Sequence, residues 1–230
     1  MKKMKKIILA AIAATAVIAC ANVSSPDANE TLQPVSAEYI SSDTTINFEN
    51  DAEGKVPDGF TQTATGKQQT LNWQIVNDGG NKVAAQQAKN GGDYYNLLVL
   101  DDPGFENFTM SVKIKAVAGK EDQGGGLIWR YIDNNNYYVA RYNPLESNFR
   151  LYHVVNGNRR QLKSVGSTIK SGEWFTMSIE MNRNKISCSL NGKKLIETSD
   201  DTFKKDGKVG LWSKADAQTY FDDLTVQSLK

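Results

Sequence analysis

The chain of 230 residues has only two cysteines and one histidine. Two thiols cannot build a disulfide framework or a multi-cysteine zinc cluster. With His153 as the single imidazole, any mechanism or metal site that needs two is excluded. An excess of one charge is missing too: 27 Lys and Arg stand against 26 Asp and Glu, a formal charge of +1. That balance supplies no general basic field, so the chain is not expected to be a dedicated nucleic-acid binder. No long stretch keeps a helical period, and no nucleophile elbow, P-loop or dinucleotide fingerprint occurs. What is there is 40% apolar residues with 9% aromatics, enough for a packed core.

The N-terminus reads as an address. Lys2, Lys3, Lys5 and Lys6 precede a thirteen-residue apolar run from Ile7 to Ala19. Thirteen residues are too few to span a bilayer as a permanent helix, and the pattern is that of a signal peptide over residues 1–19. Its end, Val17-Ile18-Ala19-Cys20, resembles the bacterial lipobox. The resemblance implies a lipidated Cys20 and an extracytoplasmic lipoprotein anchored to a bacterial membrane. Ala21 to Thr44 has no basic residue, four acids (Asp27, Glu30, Glu38, Asp43) and many Ser, Thr, Asn and Pro. Such a composition cannot bury a core, so residues 20–44 read as the lipidated Cys and a flexible tether. Residues 45–230 carry 23 basic and 22 acidic groups and suit one β-sandwich domain.

Strict alternation recurs along that body. Phe108, Met110, Val112 and Ile114 alternate with Thr109, Ser111, Lys113 and Lys115. Phe175, Met177, Ile179 and Met181 repeat the pattern, as do Ile186, Cys188 and Leu190. One apolar and one polar face is the signature of a half-buried antiparallel strand. Asn156-Gly157 and Asn191-Gly192 readily supply the positive φ angles of tight hairpins. Regular short strands with such turns predict an all-β, two-sheet antiparallel sandwich.

A resemblance then becomes specific. Ile46-Asn47-Phe48-Glu49, Gly54 to Phe60 and Trp73 to Val76 look like the opening strands of a concanavalin A-like jelly roll. Gly125 to Arg141, Gly172-Glu173-Trp174, Asn191-Gly192-Lys193, Gly207 to Trp212 and Tyr220 to Leu224 continue the series. Their order and spacing resemble the bacterial laminin-G-like and 3-keto-disaccharide hydrolase domains related to family 16 glycoside hydrolases. The likeness covers nearly all of 45–230. It implies a jelly roll; activity does not follow from a fold that hosts many functions.

The candidate site comes from the hairpin around Asp133 to Asn136. A four-residue loop would set Ile132 opposite Tyr137, Arg130 opposite Val139 and Ile128 opposite Arg141. One face then carries Arg130, Tyr137, Arg141 and Asn143, and the other Trp129, Tyr131, Tyr138 and Tyr142. Guanidiniums without carboxylates do not face a core, so the aromatic row is the expected core and the Arg face lines a groove. Glu146, Arg150 and Tyr152 would extend it. A planar donor fork beside aromatic surface suits sugars or carboxylated sugars. The alternative is a structural network in which Arg130, Arg141 and Arg150 pair with Asp133 and Glu146. Cys188 reads as a buried free thiol. Trp73, Trp174 and Trp212 are expected in the core, with Trp212 the best placed to be an exception.

Family 16 glucanases carry a Glu-x-Asp-x-x-Glu strand, and no such run occurs here. The retaining two-carboxylate mechanism therefore has no support. The 3-keto-disaccharide hydrolase resemblance implies other chemistry: a ketone at sugar carbon 3 acidifies the neighbouring C–H, so one base and an enolate stabiliser can eliminate the glycosidic oxygen. His153 is the candidate base, with Tyr152, Arg130 and Arg141 around it. First and last strands often pair in jelly rolls, which would bring Glu49 and Asp51 towards Asp222 and Asp223 as ligands for a structural Ca²⁺. Three roles remain open: a carbohydrate-binding module, an enzyme acting on 3-keto-glycosides, and a structural or protein-binding laminin-G-like domain.

Overall fold

The computed structural model describes residues 44–67, 70–102 and 104–229. Residues 1–43, which the sequence reads as a signal peptide, Cys20 and a tether, lie outside the described residues. Among the described residues every regular element is a strand. In chain order these are β1 (Thr44–Ile46), β2 (Phe60–Thr65), β3 (Trp73–Asp78), β4 (Asn81–Gln86), β5 (Tyr95–Leu100), β6 (Phe108–Ala118), β7 (Gly125–Asp133) and β8 (Asn136–Asn143). They continue as β9 (Asn148–Val155), β10 (Asn158–Gly166), β11 (Trp174–Asn182), β12 (Lys185–Leu190), β13 (Lys193–Ser199), β14 (Lys208–Lys214) and β15 (Gln218–Ser228).

Two antiparallel sheets form the jelly-roll sandwich. The first runs β13-β12-β11-β6-β15-β4-β3, with β1 also on β15; the second runs β10-β9-β8-β7-β14-β5-β2. The turns behave as their residues dictate. Asn156 and Gly157 take φ of 50° and 79°, and Asn191 and Gly192 take 48° and 76°, giving two-residue hairpins between Val155 and Asn158 and between Leu190 and Lys193. The alternating rows of β6, β11 and β12 all turn their apolar side inward. There they meet Leu127, Trp129, Tyr138, Ala140, Tyr142, Phe149 and Leu151 from the second sheet. Trp129 stacks on Tyr138 with ring centroids 5.6 Å apart. Cys188 is a buried free thiol in the same core, and burial raises its pKa.

The β7–β8 hairpin departs from the expected register. Asp133 pairs with Asn136 around a two-residue turn, but Trp129 pairs with Tyr138, Ile128 with Val139 and Gly126 with Arg141. Arg130, Tyr131 and Ile132 thus face Tyr137 alone, in a wide bulge. Arg130 sits at φ 49°, and its backbone presses on Gly207, where a Cβ would lie 2.6 Å from the Arg130 carbonyl carbon. Only glycine leaves room for that approach. Trp129, Tyr138 and Tyr142 of the aromatic row stay in the core as expected, whereas the bulge moves Tyr131 to the opposite face, partly buried against Tyr137, and turns Arg130 out of the face assigned to it.

Because Trp129 fills the middle of the sandwich, Trp129→Ala should cost about 3–5 kcal/mol of stability, read as a lowered urea midpoint with an unchanged slope. Wild-type stability in this variant would remove Trp129 from the core.

Candidate functional site

The strands of the second sheet bury their other face too. Tyr95, Leu97 and Val99 of β5, Ile128, Tyr137 and Val139 of the β7–β8 hairpin, Tyr152 and Val154 of β9 and Trp212 of β14 form a second apolar cluster. The sheet must curl to make it. Strands β10 and β5 are five spacings apart, roughly 24 Å on a flat sheet. Yet the Arg159 guanidinium of β10 lies 4.9 Å from the Tyr95 ring, 4.5 Å from Tyr152 and 5.8 Å from Trp212. Likewise the Thr65 hydroxyl of β2 is 2.7 Å from that of Tyr137 on β8. This face is concave, and its centre is closed by its own side chains.

Most of the residues marked by the sequence as a groove lie in that closed centre or at its end. Tyr137, Asn143 and Tyr152 are buried, and Arg141 is only 2% exposed. Arg141 bonds Asn148 Oδ1 at 2.7 Å, Glu146 Oε2 at 2.6 Å and the Tyr152 hydroxyl at 3.3 Å. Arg150 reaches the same Glu146 oxygen at 3.4 Å. Burial opposes ionisation of Glu146, but its bonds to Arg141 and Asn148 and the charge of Arg150 hold its pKa below the usual carboxylate range. Glu146 and Arg150 keep partial access to solvent, with side chains 42% and 31% exposed.

Arg130 is corrected outright. It is 1% exposed and plugs one end of the sandwich. Its Nη1 donates to the Lys205 carbonyl, and its Nη2 to those of Glu106 at 2.7 Å and Arg183 at 3.3 Å. Three carbonyls, with no carboxylate, make that burial tolerable.

His153 follows Tyr152 on β9 and points to the opposite face. Its Nδ1 is 3.0 Å from the Thr202 hydroxyl and 4.0 Å from the Asp200 carboxylate, so it stays out of the Arg cluster. The calcium set is also dispersed. β1 does pair with β15, but Asp222 accepts from Asn81 at 3.0 Å, Asp223 pairs with Lys113 at 2.6 Å, and Glu49 and Asp51 accept the amides of Lys82 and Asp58. Among the described residues no group of three or more His, Cys, Asp or Glu could hold a metal ion. Trp73 is in the main core and Trp212 in the second cluster. Trp174 is 37% exposed, under the Lys115 ammonium 5.1 Å from its ring.

An open cleft of about 660 Å³ flanks the closed centre. Thr61 and Thr63 of β2, Val99, Asp101, Tyr131, Ile132 and the 202–208 segment line it. Tyr131 stacks on Tyr137 at 6.1 Å, Ile132 is 63% exposed, and the Thr61 hydroxyl donates to Asp101 at 2.8 Å. Lys204, Lys205, Lys208 and Asp206 add charges. A hydroxyl-bearing wall, an aromatic ring and charged donors can take a ligand that is polar at its edges and apolar on its faces. His153 is not among the residues that line this cleft and meets its wall through the hydrogen bond to Thr202.

The model of the 3-keto-alpha-glucoside-1,2-lyase-like domain matches residues 47–227. The chain belongs to that family. Solved structures share the jelly roll of this family member at low identity. Carbohydrate-binding module CBM66 from Bacillus subtilis is 18% identical at a TM-score of 0.60, over 74% of this chain and 96% of that one. A structure described as a native glycosidic hydrolase is 14% identical at 0.58, over 83% and 97%. The exoplasmic/lumenal domain of VIP36, in a Ca²⁺/Man-bound form, is 9% identical at 0.58, over 81% and 89%. No curated protein matches the sequence.

Residue-by-residue reading missed Arg159, the cleft and Asp122, a buried carboxyl that accepts the Gly124 amide at 2.5 Å. The two-residue Asn156-Gly157 turn sets Arg159 opposite Val154, on the face of Tyr152, so Arg159 was within reach of register arithmetic. Asp122 and the cleft were not, since loops distant in sequence assemble them.

Arg130→Ala should leave buried carbonyls of Glu106, Lys205 and Arg183 without a donor and cost roughly 3 kcal/mol or more. A thermal melt within 1 °C or so of wild type would show that those contacts carry no stability.

Proposed function

We propose that this protein is a carbohydrate-recognition domain that takes its glycan in the cleft between β2, the β7–β8 hairpin and residues 202–208. The observation that carries the reading is the cleft's make-up, with Tyr131 and Ile132 beside the hydroxyls of Thr61 and Thr63 and the charges of Asp101, Lys208 and Asp206. A sugar offers C–H surface to the ring and hydroxyls to the polar wall. Its fold is that of a carbohydrate-binding module and a mannose-bound lumenal domain, which supports the same ligand class. Tyr131→Ala should weaken glycan binding by about 1 kcal/mol or more in calorimetry while the melting temperature stays near wild type. Unchanged affinity would move the ligand off this cleft.

A second reading, elimination on 3-keto-glycosides, is favoured by the family match over 47–227 and by two carboxylates, Asp101 and Asp206, in the cleft. One of them would take the proton from sugar carbon 2. The electron pair moves into the enolate of the 3-ketone, a lysine ammonium steadies that charge, and the bond from carbon 1 to the glycosidic oxygen breaks with its electrons on oxygen. Incubation with glycosides and their 3-keto derivatives separates the readings. Turnover lost in Asp101→Asn or Asp206→Asn with binding retained identifies the enzyme; binding without turnover in the wild type identifies the module.

The domain is further proposed to be held at the extracytoplasmic side of a bacterial membrane by a lipid on Cys20, the last residue of Val17-Ile18-Ala19-Cys20. Cys20→Ala should release the protein from membranes or leave it unprocessed. An unmodified wild-type N-terminus in the soluble fraction would end that assignment.

A further inference from the structure

Three guanidiniums converge on the ring of Tyr152. Arg141 Nη2 and Arg150 Nη1 lie 3.3 and 3.4 Å from its hydroxyl, and Arg159 lies 4.5 Å from the ring centre. Arg141 and Arg150 are direct cross-strand partners, a like-charge pairing that is unfavourable unless an anion joins it. Glu146 is that anion, held between the two. Asp122 is the other carboxyl within the field of Arg141, and it is buried and bonded to the Gly124 amide at 2.5 Å. Lys214, which also faces Asp122, is paired with Asp93 at 3.5 Å. Arg159 has no carboxylate within ion-pair distance among the described residues.

The cluster therefore has more cations than anions, and it lacks acceptors as well. Arg141 Nε and Arg159 Nη1 are buried and make no hydrogen bond. A buried N–H without an acceptor is costly and uncommon. Arg130 Nε and the indole N–H groups of Trp73, Trp129 and Trp212 are unbonded as well, so it is the joining of two such donors with an excess of positive charge around one ring that marks a place for an acceptor. Glu146 is on the exposed turn from Pro144 to Ser147, with its side chain 42% open to solvent. An incoming carboxylate can therefore reach the Arg141 and Arg150 guanidiniums by displacing the Glu146 side chain.

We propose that the Arg141–Arg150–Arg159 cluster binds the carboxylate of an acidic sugar, a uronate, and that Glu146 holds the anion's place when no ligand is present. Guanidinium forks match a planar carboxylate, which accepts two parallel hydrogen bonds. This rests on the reading of the protein as a carbohydrate-recognition domain, but it uses residues separate from the Tyr131 cleft.

The full chain is titrated with glucuronate, glucose and inorganic phosphate by calorimetry, at low and high salt. Glucuronate should bind about tenfold or more tightly than glucose and weaken as salt rises. Arg159→Ala should lose about tenfold in glucuronate affinity in a protein that still folds, with its melting temperature lowered by the lost contacts to Tyr95, Tyr152 and Trp212, and Glu146→Gln should bind glucuronate more tightly. If Glu146→Gln fails to fold, because Arg141 loses its carboxylate, Arg159→Ala on the edge strand still carries the test. Equal affinity for glucuronate and glucose, or no change in a folded Arg159→Ala protein, overturns the proposal. Phosphate binding as tightly as glucuronate overturns the sugar assignment. Neutral glycan binding that is sensitive to Tyr131→Ala, with no glucuronate binding, overturns this site and leaves the cleft reading standing.

Discussion

The aromatic and branched residues on the outer face of the second sheet, Tyr95, Ile128, Tyr137, Tyr152 and Trp212 among them, leave water although no third layer among the described residues covers them. Apolar burial of this kind contributes on the order of 25 cal/mol per Å², so a flat sheet exposing the row would forfeit much of its stability. The sheet curls until β2 and β10 bring Thr65 and Arg159 over the centre. That curl settles the remaining geometry of the face. It shuts the middle with Arg159 of β10, leaves a cleft along β2, and sets Arg141 of β8 and Arg150 of β9 beside it with Glu146 between them.

Arg130 shows how a polar group can be placed by backbone rather than by pattern. Its left-handed φ and the extra residues opposite Tyr137 carry the guanidinium to three main-chain carbonyls from different connections. Those connections cross from one sheet to the other or turn at their ends, so the side chain ties the end of the sandwich together. The same bulge offers Tyr131 and Ile132 to the cleft. One irregularity thus serves closure at the end and access at the side.

The electrostatics of the concave face are uneven for a related reason. Alternation along β8 and β9 puts Arg141, Arg150 and Tyr152 on one side, and the hairpin register adds Arg159. Carboxylates on neighbouring turns answer part of this charge: Glu146 is held ionised by its guanidiniums, whereas burial pushes Asp122 upward against the bond from Gly124 and the charge of Arg141. At the other end of the sheet Asp200 is opposed by burial but held below its usual range by the Thr202 and Tyr138 hydroxyls. Each acid is set by what faces it across the fold.

By itself the sequence determined the class of fold, the hairpins at Asn156-Gly157 and Asn191-Gly192, and the inward rows of β6, β11 and β12. These follow from period-two alternation and from residues that tolerate positive φ, which are local properties of the chain. It also determined that Trp129, Tyr138 and Tyr142 are core, because bulky apolar rings on one strand face leave water wherever that face is covered. The tertiary structure alone decided that Arg130 is a structural plug, that His153 does not line the cleft, and that Glu49, Asp51, Asp222 and Asp223 go to separate partners. A bulge moves a register by residues that no alternation reveals. The curl of a sheet, in turn, depends on both of its faces and on all of its strands together, so the closed centre and the open cleft exist only once the whole second sheet has formed.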